Sequence, residues 1–239
     1  MRYILLQARK PTDQAKHEEH HSFAKRLNVD IEQIVPLDIF STTLDSTLLD
    51  SCDALLVGGA GEYSVLDNDP HIKQFITFLG QVCDSTTPMF ASCFGFQALV
   101  LALGGSIIKD EANAEVGTYL LETTGQGEID PLFAALPKQF FAQLGHQDRA
   151  EKLPSCVTHL ARSERTEYQA FRVSGKSIYA TQFHPELTFE DNRKRFARYM
   201  TIYGQLFGEE KAKERMDSHR PSVEANQLLS LFQNHIIES

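Results

Sequence analysis

The 239-residue sequence lacks long apolar runs and an excess of basic charge. No apolar run approaches the ~20 residues that a membrane-spanning helix needs. The 23 Lys and Arg are outnumbered by 32 Asp and Glu, which gives a net charge of -9. Because phosphate groups would repel such a chain, neither nucleic acid nor an anionic membrane is expected as a partner.

Closely spaced cysteines are also absent. The four cysteines are Cys52, Cys83, Cys93 and Cys156, and no CxxC pair offers a zinc or redox site. The opening segment, residues 1–7, is too short and too soon polar for a secretory signal. Free thiols without such a signal are typical of a reducing compartment, so we expect a cytoplasmic protein.

Apolar runs alternate with helical patterns along the first half of the chain. The predicted strands are 3–8, 31–39, 53–57 and 88–92, and the predicted helices are 13–27, a segment behind Pro70, and 94–103. Such repetition predicts an α/β fold with a mostly parallel central sheet flanked by helices. Strand-like segments at 116–123, 139–144, 157–163, 169–173 and 177–183 are expected to extend the sheet and add a small antiparallel layer, and C-terminal helices follow from residue 189.

Cys93 lies between a predicted strand and a predicted helix. That position is typical of a nucleophile elbow, and Ala91 and Gly95 are the small neighbours that a tight turn needs. The N–H groups and positive dipole of a helix N-terminus favour a thiolate. The alternative is one more buried structural cysteine.

A base and an oxyanion site are the other requirements of a cysteine nucleophile. His184 and Glu186 follow a predicted strand, and residues two apart there face the same way. Glu186 is therefore able to orient His184 as the third member of a triad. The glycine-rich loop 58–61 also follows a buried strand, and its N–H groups suit a developing oxyanion.

Together these motifs resemble the class I (triad) glutamine amidotransferases. The resemblance is carried by Ser92–Gln97, Phe183–Glu186 and Gly58–Gly61, and it is closest to the amidotransferase domain of GMP synthetases and their stand-alone relatives. Leu144–Asp148 also looks like that branch. The resemblance implies a flavodoxin-like single domain over residues 1–239, with a catalytic core over about 1–203 and a helical extension over about 204–239.

The resemblance also implies roles for individual residues. Cys93, His184 and Glu186 would form the catalytic triad, and the backbone N–H groups of Gly59 and Phe94 would form the oxyanion hole. Substrate contacts are expected from Gly61, Gln97, His146 and Asp148. No metal and no cofactor is expected.

Two positions depart from the family pattern. Many relatives have Gly at the position of Ala91 and His at the position of Phe96. Alanine is small enough for an elbow, so we expect hydrolysis to survive. Phe96 removes a polar group that relatives place beside the site.

The acceptor of the ammonia is not identified by any motif. The sequence contains neither a Gly-x-x-x-x-Gly-Lys-Ser/Thr loop nor a Ser-Gly-Gly-x-Asp-Ser loop. We therefore expect any synthetase to be a separate chain. The competing enzyme class is a γ-glutamyl peptidase or hydrolase, which would use the same thioester chemistry on γ-glutamyl peptides or conjugates.

Two further interpretations come from other classes. His17–His21 matches the H-E-x-x-H zinc motif, with Glu18 as base, but its surroundings are polar and favour a solvated helix face. The second of these interpretations is a catalytically inactive binding module. The apolar stripe of Leu228, Leu229, Phe232 and Ile236 predicts a last helix that packs on its own domain.

Overall fold

The computed structural model describes residues 1–237, and most of its strands form one nine-stranded sheet. The strands are β1 (Tyr3–Ala8), β2 (Ile34–Asp38), β3 (Ala54–Ala60), β4 (Met89–Ser92), β5 (Ser106–Lys109), β6 (Glu115–Thr123), β7 (Gln139–His146), β8 (Asp148–Lys152), β9 (Val157–Ser163), β10 (Ala170–Val173) and β11 (Ile178–Thr181). The large sheet has the order β2-β1-β3-β4-β11-β10-β9-β6-β7, and β5 pairs with β8 separately.

The first five strands of that order are parallel and form the centre of the fold. Along β1, Ile4 and Leu6 pack into one hydrophobic core, whereas Tyr3 and Leu5 pack into a second core on the opposite face. Both faces of the sheet are therefore buried, which confirms the expected α/β architecture. Pro36 lies in β2 at the edge of the sheet, where the ladder does not need its missing N–H.

The antiparallel strands β10, β9, β6 and β7 extend this same sheet. Gly175 has φ +73° in the turn between β10 and β11, a conformation that favours glycine. The small antiparallel pair of β5 and β8 was not predicted strand by strand, because both strands are short and largely solvent-facing. The expected small antiparallel layer is present, but β5 and β8 form it, whereas the five predicted segments all contribute strands to the large sheet.

Helices cover both faces of the sheet. They are α1 (Ala15–Leu27), α2 (Pro70–Asp84), α3 (Phe94–Ala102), α4 (Phe189–Arg198), α5 (Met200–Phe207), α6 (Glu209–Asp217) and α7 (Leu228–Phe232). α2 and α3 pack on one face, and α1 and α7 pack on the other. Within residues 1–237, no helix combines the length and apolarity that crossing a bilayer requires.

The C-terminal stripe packs on its own domain, as predicted. Leu228, Leu229 and Phe232 are fully buried, and the Phe232 ring meets the Phe90 ring of β4 edge-on at 5.5 Å between centroids. A π-helical turn follows over Gln233–Ile237, so Ile236 lies just beyond α7 and packs at the border of the same core. This end of the chain therefore completes one face of the central sheet.

Candidate active site

Cys93 lies in the turn between β4 and α3 with φ +50° and ψ -97°. A non-glycine residue in such a conformation is strained, and strain of this kind is typical of a nucleophile elbow. The turn also brings Gly95 against β3, where an added Cβ would lie 2.6 Å from Cγ1 of Val57. The elbow thus requires glycine at position 95.

His184 and Glu186 follow β11, the parallel neighbour of β4. Ser92 pairs with Thr181 in the ladder, and the N–H of Cys93 donates to the Thr181 carbonyl at 2.7 Å. The carboxyl ends of adjacent parallel strands thereby bring Cys93 and His184 to one edge of the sheet. Nδ1 of His184 lies 2.6 Å from Oε1 of Glu186, with the two residues only 6% and 1% exposed.

The charges of this pair reinforce one another. Burial alone would lower the pKa of His184, but the negative charges of Glu186 and Cys93 outweigh it and raise that pKa to about 10. Burial likewise opposes ionisation of Glu186, yet His184 and Arg195 hold the pKa of its carboxyl below the ordinary value. An imidazolium at His184 beside the Glu186 carboxylate is therefore favoured, and it places a positive charge next to Cys93.

Gln182 is a further polar residue at the nucleophile, and it is not among the residues predicted from the sequence. Its Nε2 donates to Sγ of Cys93 at 3.6 Å, and its Oε1 accepts from Nε2 of Gln97 at 3.2 Å. The sequence did contain a signal for Gln182. Residues two apart after β11 face the same way, and residue 182 lies two positions before His184 and four before Glu186.

The predicted substrate-binding residues Gln97, His146 and Asp148 lie together. Nε2 of Gln97 donates to the Asp148 carbonyl at 2.7 Å, and Nδ1 of His146 lies 3.0 Å from the same oxygen. The Asp148 carboxylate accepts from the hydroxyl of Ser64. Gln97 connects this group to Gln182, so hydrogen bonds within the protein link all three predicted residues to Cys93.

Glu115 anchors the far end of that chain of hydrogen bonds and was not predicted either. Its fully buried carboxylate accepts from Nε2 of His146 at 3.1 Å, Oγ of Ser163 at 2.7 Å, and the side chains of Thr166 and Gln169 at 2.5 Å each. These donors outweigh burial and hold the pKa of Glu115 below its ordinary value. Both ring nitrogens of His146 thus lie within hydrogen-bonding distance of an oxygen, Nδ1 of the Asp148 carbonyl and Nε2 of the Glu115 carboxylate.

The glycine-rich loop packs against a buried ion pair. The N–H of Gly59 donates to Oε1 of Glu19 at 3.1 Å, and Nη2 of Arg9 donates to the same oxygen at 2.9 Å. An added Cβ on Gly58 would lie 2.4 Å from the Glu19 carboxyl carbon, and one on Gly59 would lie 2.8 Å from Cε1 of His184. The expected oxyanion donor at Gly59 is thus bonded to Glu19, and stabilising an oxyanion requires that bond to be exchanged.

Gly61 lies at the outer end of this loop. An added Cβ there would be 2.9 Å from the Asp13 carboxylate, 3.5 Å from Nη1 of Arg9 and 3.6 Å from the Tyr199 hydroxyl. The predicted substrate contact at Gly61 therefore has a polar environment beside α4 and α5.

The two phenylalanines of the elbow face the hydrophobic core. Phe94 supplies the first N–H of α3, and its ring stacks on Phe75 at 5.8 Å between centroids. Phe96 is fully buried and packs on Phe171 at 5.1 Å. The aromatic ring at position 96 consequently fills core space between α3 and β10.

The H-E-x-x-H segment forms part of α1 without metal-binding geometry. Glu18, the expected base, pairs with Arg198 of α4 at 2.7 Å, and Nδ1 of His21 bonds to the His17 carbonyl at 2.9 Å. In the described part of the chain, no group of three or more His, Cys, Asp or Glu is arranged to hold a metal ion. The expectation of a fully solvated face is wrong for Glu19, which is completely buried because it pairs with Arg9.

Comparison with known proteins agrees with this architecture. Residues 11–202 match the family model of the class-I glutamine amidotransferases. Over 186 residues the chain is 31% identical to one subunit of the glutamine-hydrolyzing GMP synthase of Thermoplasma volcanium, an alignment that covers 76% of this chain and 83% of the relative. The chain belongs to the class-I glutamine amidotransferase family.

Other relatives are longer or more distant. The chain is 38% identical over 136 residues to the glutamine-hydrolyzing GMP synthase of Thermosipho melanesiensis, and this covers 56% of the chain but only 24% of that relative. The chain thus spans about a quarter of the length of that curated relative. A glutamine amidotransferase from Thermotoga maritima superposes with a TM-score of 0.73 at 19% identity, covering 100% of this chain and 99% of that one, which shows a shared fold.

Proposed function

We propose that this chain hydrolyses the side-chain amide of glutamine through Cys93, His184 and Glu186 and releases ammonia for a synthetase on a separate chain. The observation that carries the proposal is the strained elbow at Cys93 beside a buried His–Glu pair. Their placement at the ends of adjacent parallel strands gives the nucleophile a base, and the base an orienting carboxylate.

The reaction divides between these groups as follows. Sγ of Cys93 attacks the amide carbon of the substrate, and His184 delivers a proton to the departing nitrogen, so that ammonia and a γ-glutamyl thioester form. His184 then takes a proton from water, which attacks the thioester to release glutamate and restore the Cys93 thiolate beside the His184 imidazolium. Glu186 holds Nδ1 of His184 throughout and stabilises the imidazolium.

The carbonyl oxygen needs donors where its negative charge develops. The N–H of Phe94, at the start of α3, is one, and the N–H of Gly59 is the second once it exchanges Glu19 for the oxyanion. We expect Gln97, His146, Asp148 and Gly61 to contact the rest of the glutamine; the first three are joined by hydrogen bonds at the Asp148 carbonyl.

A separate synthetase chain is supported by one relative. The Thermoplasma protein, most of whose length the chain covers, is named as one subunit of a GMP synthase. By analogy, we propose that the ammonia formed at Cys93 passes to a partner chain.

Ammonia release from glutamine is the direct test, measured beside a panel of γ-glutamyl peptides. Wild-type protein is expected to release ammonia from glutamine, and Cys93→Ser should release none. A glutamine-analogue electrophile should label Cys93 in the wild type, which would exclude an inactive binding module. Peptide cleavage without glutamine hydrolysis, with or without candidate partner chains, would instead identify a γ-glutamyl hydrolase.

A further inference from the structure

The loop that carries His184 and Glu186, residues 184–187, is held by its backbone at several points. The N–H of His184 donates to the Gln143 carbonyl at 2.8 Å, and the N–H of Leu187 donates to the His184 carbonyl at 3.3 Å. The carbonyls of Pro185 and Leu187, on either side of Glu186, both accept from one side chain, that of Asn226.

The hydrogen-bond partners of Asn226 determine the orientation of its side-chain amide. Its Nδ2 lies 2.8 Å from the Pro185 oxygen and 2.8 Å from the Leu187 oxygen, so each amide hydrogen has one acceptor. Carbonyl oxygens only accept, and Oδ1 of Asn226 accepts from the hydroxyl of Ser222 at 3.4 Å. Only one orientation of the amide satisfies all three bonds.

A second connection ties the same segment to the other side of the loop. Nε2 of Gln143 donates to Oγ of Ser222 at 3.1 Å, while the backbone carbonyl of Gln143 accepts from His184. Gln143 and Ser222 are both buried. One network therefore fixes both the His184 end and the Glu186 end of the loop.

The Glu186 carboxylate depends on this backbone support. Its Oε1 bonds His184, whereas its Oε2 is buried without a hydrogen-bond partner in residues 1–237. The positive charge of Arg195 also attracts the carboxylate, and the position of the carboxylate relative to His184 depends on where the loop places its backbone. A shift of about 1 Å in such a group reduces rates by about a hundredfold.

We propose that Asn226 is a positioning residue for the triad, which aligns Glu186 with His184 by clamping the carbonyls of Pro185 and Leu187. The role rests on the proposed function of Cys93, His184 and Glu186. Asn226 lies beyond residues 11–202, the part that matches the family model, so on this proposal the segment before α7 supports the active site through the loop 184–187.

The test compares Asn226→Ala and Asn226→Asp with the matched control Gln227→Ala, the exposed neighbouring amide. Both Asn226 variants should lower kcat for glutamine about a hundredfold with little change in KM, because Asn226 acts through the loop. Asparagine and aspartate have the same shape, so a space-filling role would survive in N226D. A clamping role would not, because a carboxylate offers no donor to the two carbonyls.

Alkylation of Cys93 by iodoacetamide across pH provides a second readout that needs no substrate. A misaligned Glu186 lowers the pKa of His184, so the variants should alkylate more slowly near neutral pH and follow the profile of an ordinary thiol. If the Asn226 variants do not fold, Ser222→Ala takes their place. It keeps both amide donors of Asn226 and should show a smaller change in the same direction. Thermal unfolding identifies the folded variants.

Folded Asn226 variants with wild-type kcat and a wild-type alkylation profile would overturn the positioning role. If the wild type does not hydrolyse glutamine but the alkylation profile of Cys93 differs between the wild type and the Asn226 variants, the substrate assignment fails and the positioning role stands. If the wild type hydrolyses glutamine but the Asn226 variants change neither kcat nor the alkylation profile, the positioning role fails and the substrate assignment stands.

Discussion

Replacing Glu19 by glutamine tests the buried charge network beneath the glycine-rich loop. Glu19 is 0% exposed and Arg9 is 2% exposed, so water reaches neither charge. The carboxylate accepts from Nη2 and Nε of Arg9 at 2.9 and 3.3 Å, from Gln7 at 2.9 Å and from the Gly59 N–H at 3.1 Å. E19Q keeps the shape but removes the charge and turns one acceptor into a donor that faces other donors.

The expected loss is large because Arg9 remains buried. Asp13 still contacts Nη1 of Arg9 at 3.0 Å, but it does not replace the two bonds to Glu19. Removing one partner of a buried pair costs about 3–5 kcal/mol, and we expect Glu19→Gln to lie in that range. With a urea m value of about 3 kcal/mol per M, the unfolding midpoint falls by roughly 1 to 1.7 M.

Urea unfolding followed by circular dichroism measures this loss, and the adjacent residue provides the control. Glu18 also forms an ion pair, with Arg198, but its side chain is 45% exposed, so Glu18→Gln should cost no more than about 1 kcal/mol. Replacing both partners, as in Arg9→Met with Glu19→Leu, should be less damaging than E19Q alone, because the Arg9 charge is removed together with its main partner. Equal losses for Glu18→Gln and Glu19→Gln would refute this account of the network.

Two other predictions concern the triad and the elbow. The pKa of His184 lies at about 10, above its ordinary 6.5, so its stabilising effect is complete below pH 6.5 and is lost as the pH rises through about 10. Glutamine kcat/KM should therefore fall only near pH 10, and Glu186→Gln should move this fall to lower pH. A fall near pH 6.5 in the wild type would contradict an ion pair between His184 and Glu186. Gly95→Ala should cost about 1–3 kcal/mol and most activity, since its Cβ would meet Val57 at 2.6 Å. An added Cβ on Gly80 would lie 3.8 Å from its nearest atom, so Gly80→Ala should leave the free energy of unfolding unchanged or raise it by up to about 1 kcal/mol. Urea unfolding of the two variants measures this difference.

The central elements were predictable because local signals are strong there. β1 was predicted over Tyr3–Ala8, as observed, since its residues are apolar on both faces, and the elbow at Cys93 was indicated by a buried strand running into a helix. β5 and β8 escaped prediction because they are short and half-exposed, and neither the adjacent isoleucines of β5 nor the single apolar residue of β8 gives a clear period.

The surroundings of the site were harder to predict than its centre. Glu19 lies in a polar stretch of α1, and its burial depends on Arg9, a residue of another element. Glu115 is buried only because four side chains distant in sequence converge on it. The position of Asn226 beside Pro185 likewise follows from the packing of distant segments, which no local periodicity reports.

The place of β11 in the sheet has a consequence for synthesis on the ribosome. β11 (Ile178–Thr181) pairs with β4 (Met89–Ser92), although the chain between them forms most of the antiparallel half. Until β11 has been translated, the apolar edge of β4 has no partner on that side, and such open edges recruit other chains. Nascent or truncated chains that end before residue 178 should therefore depend on chaperones, whereas chains that include β11 can close the sheet unaided.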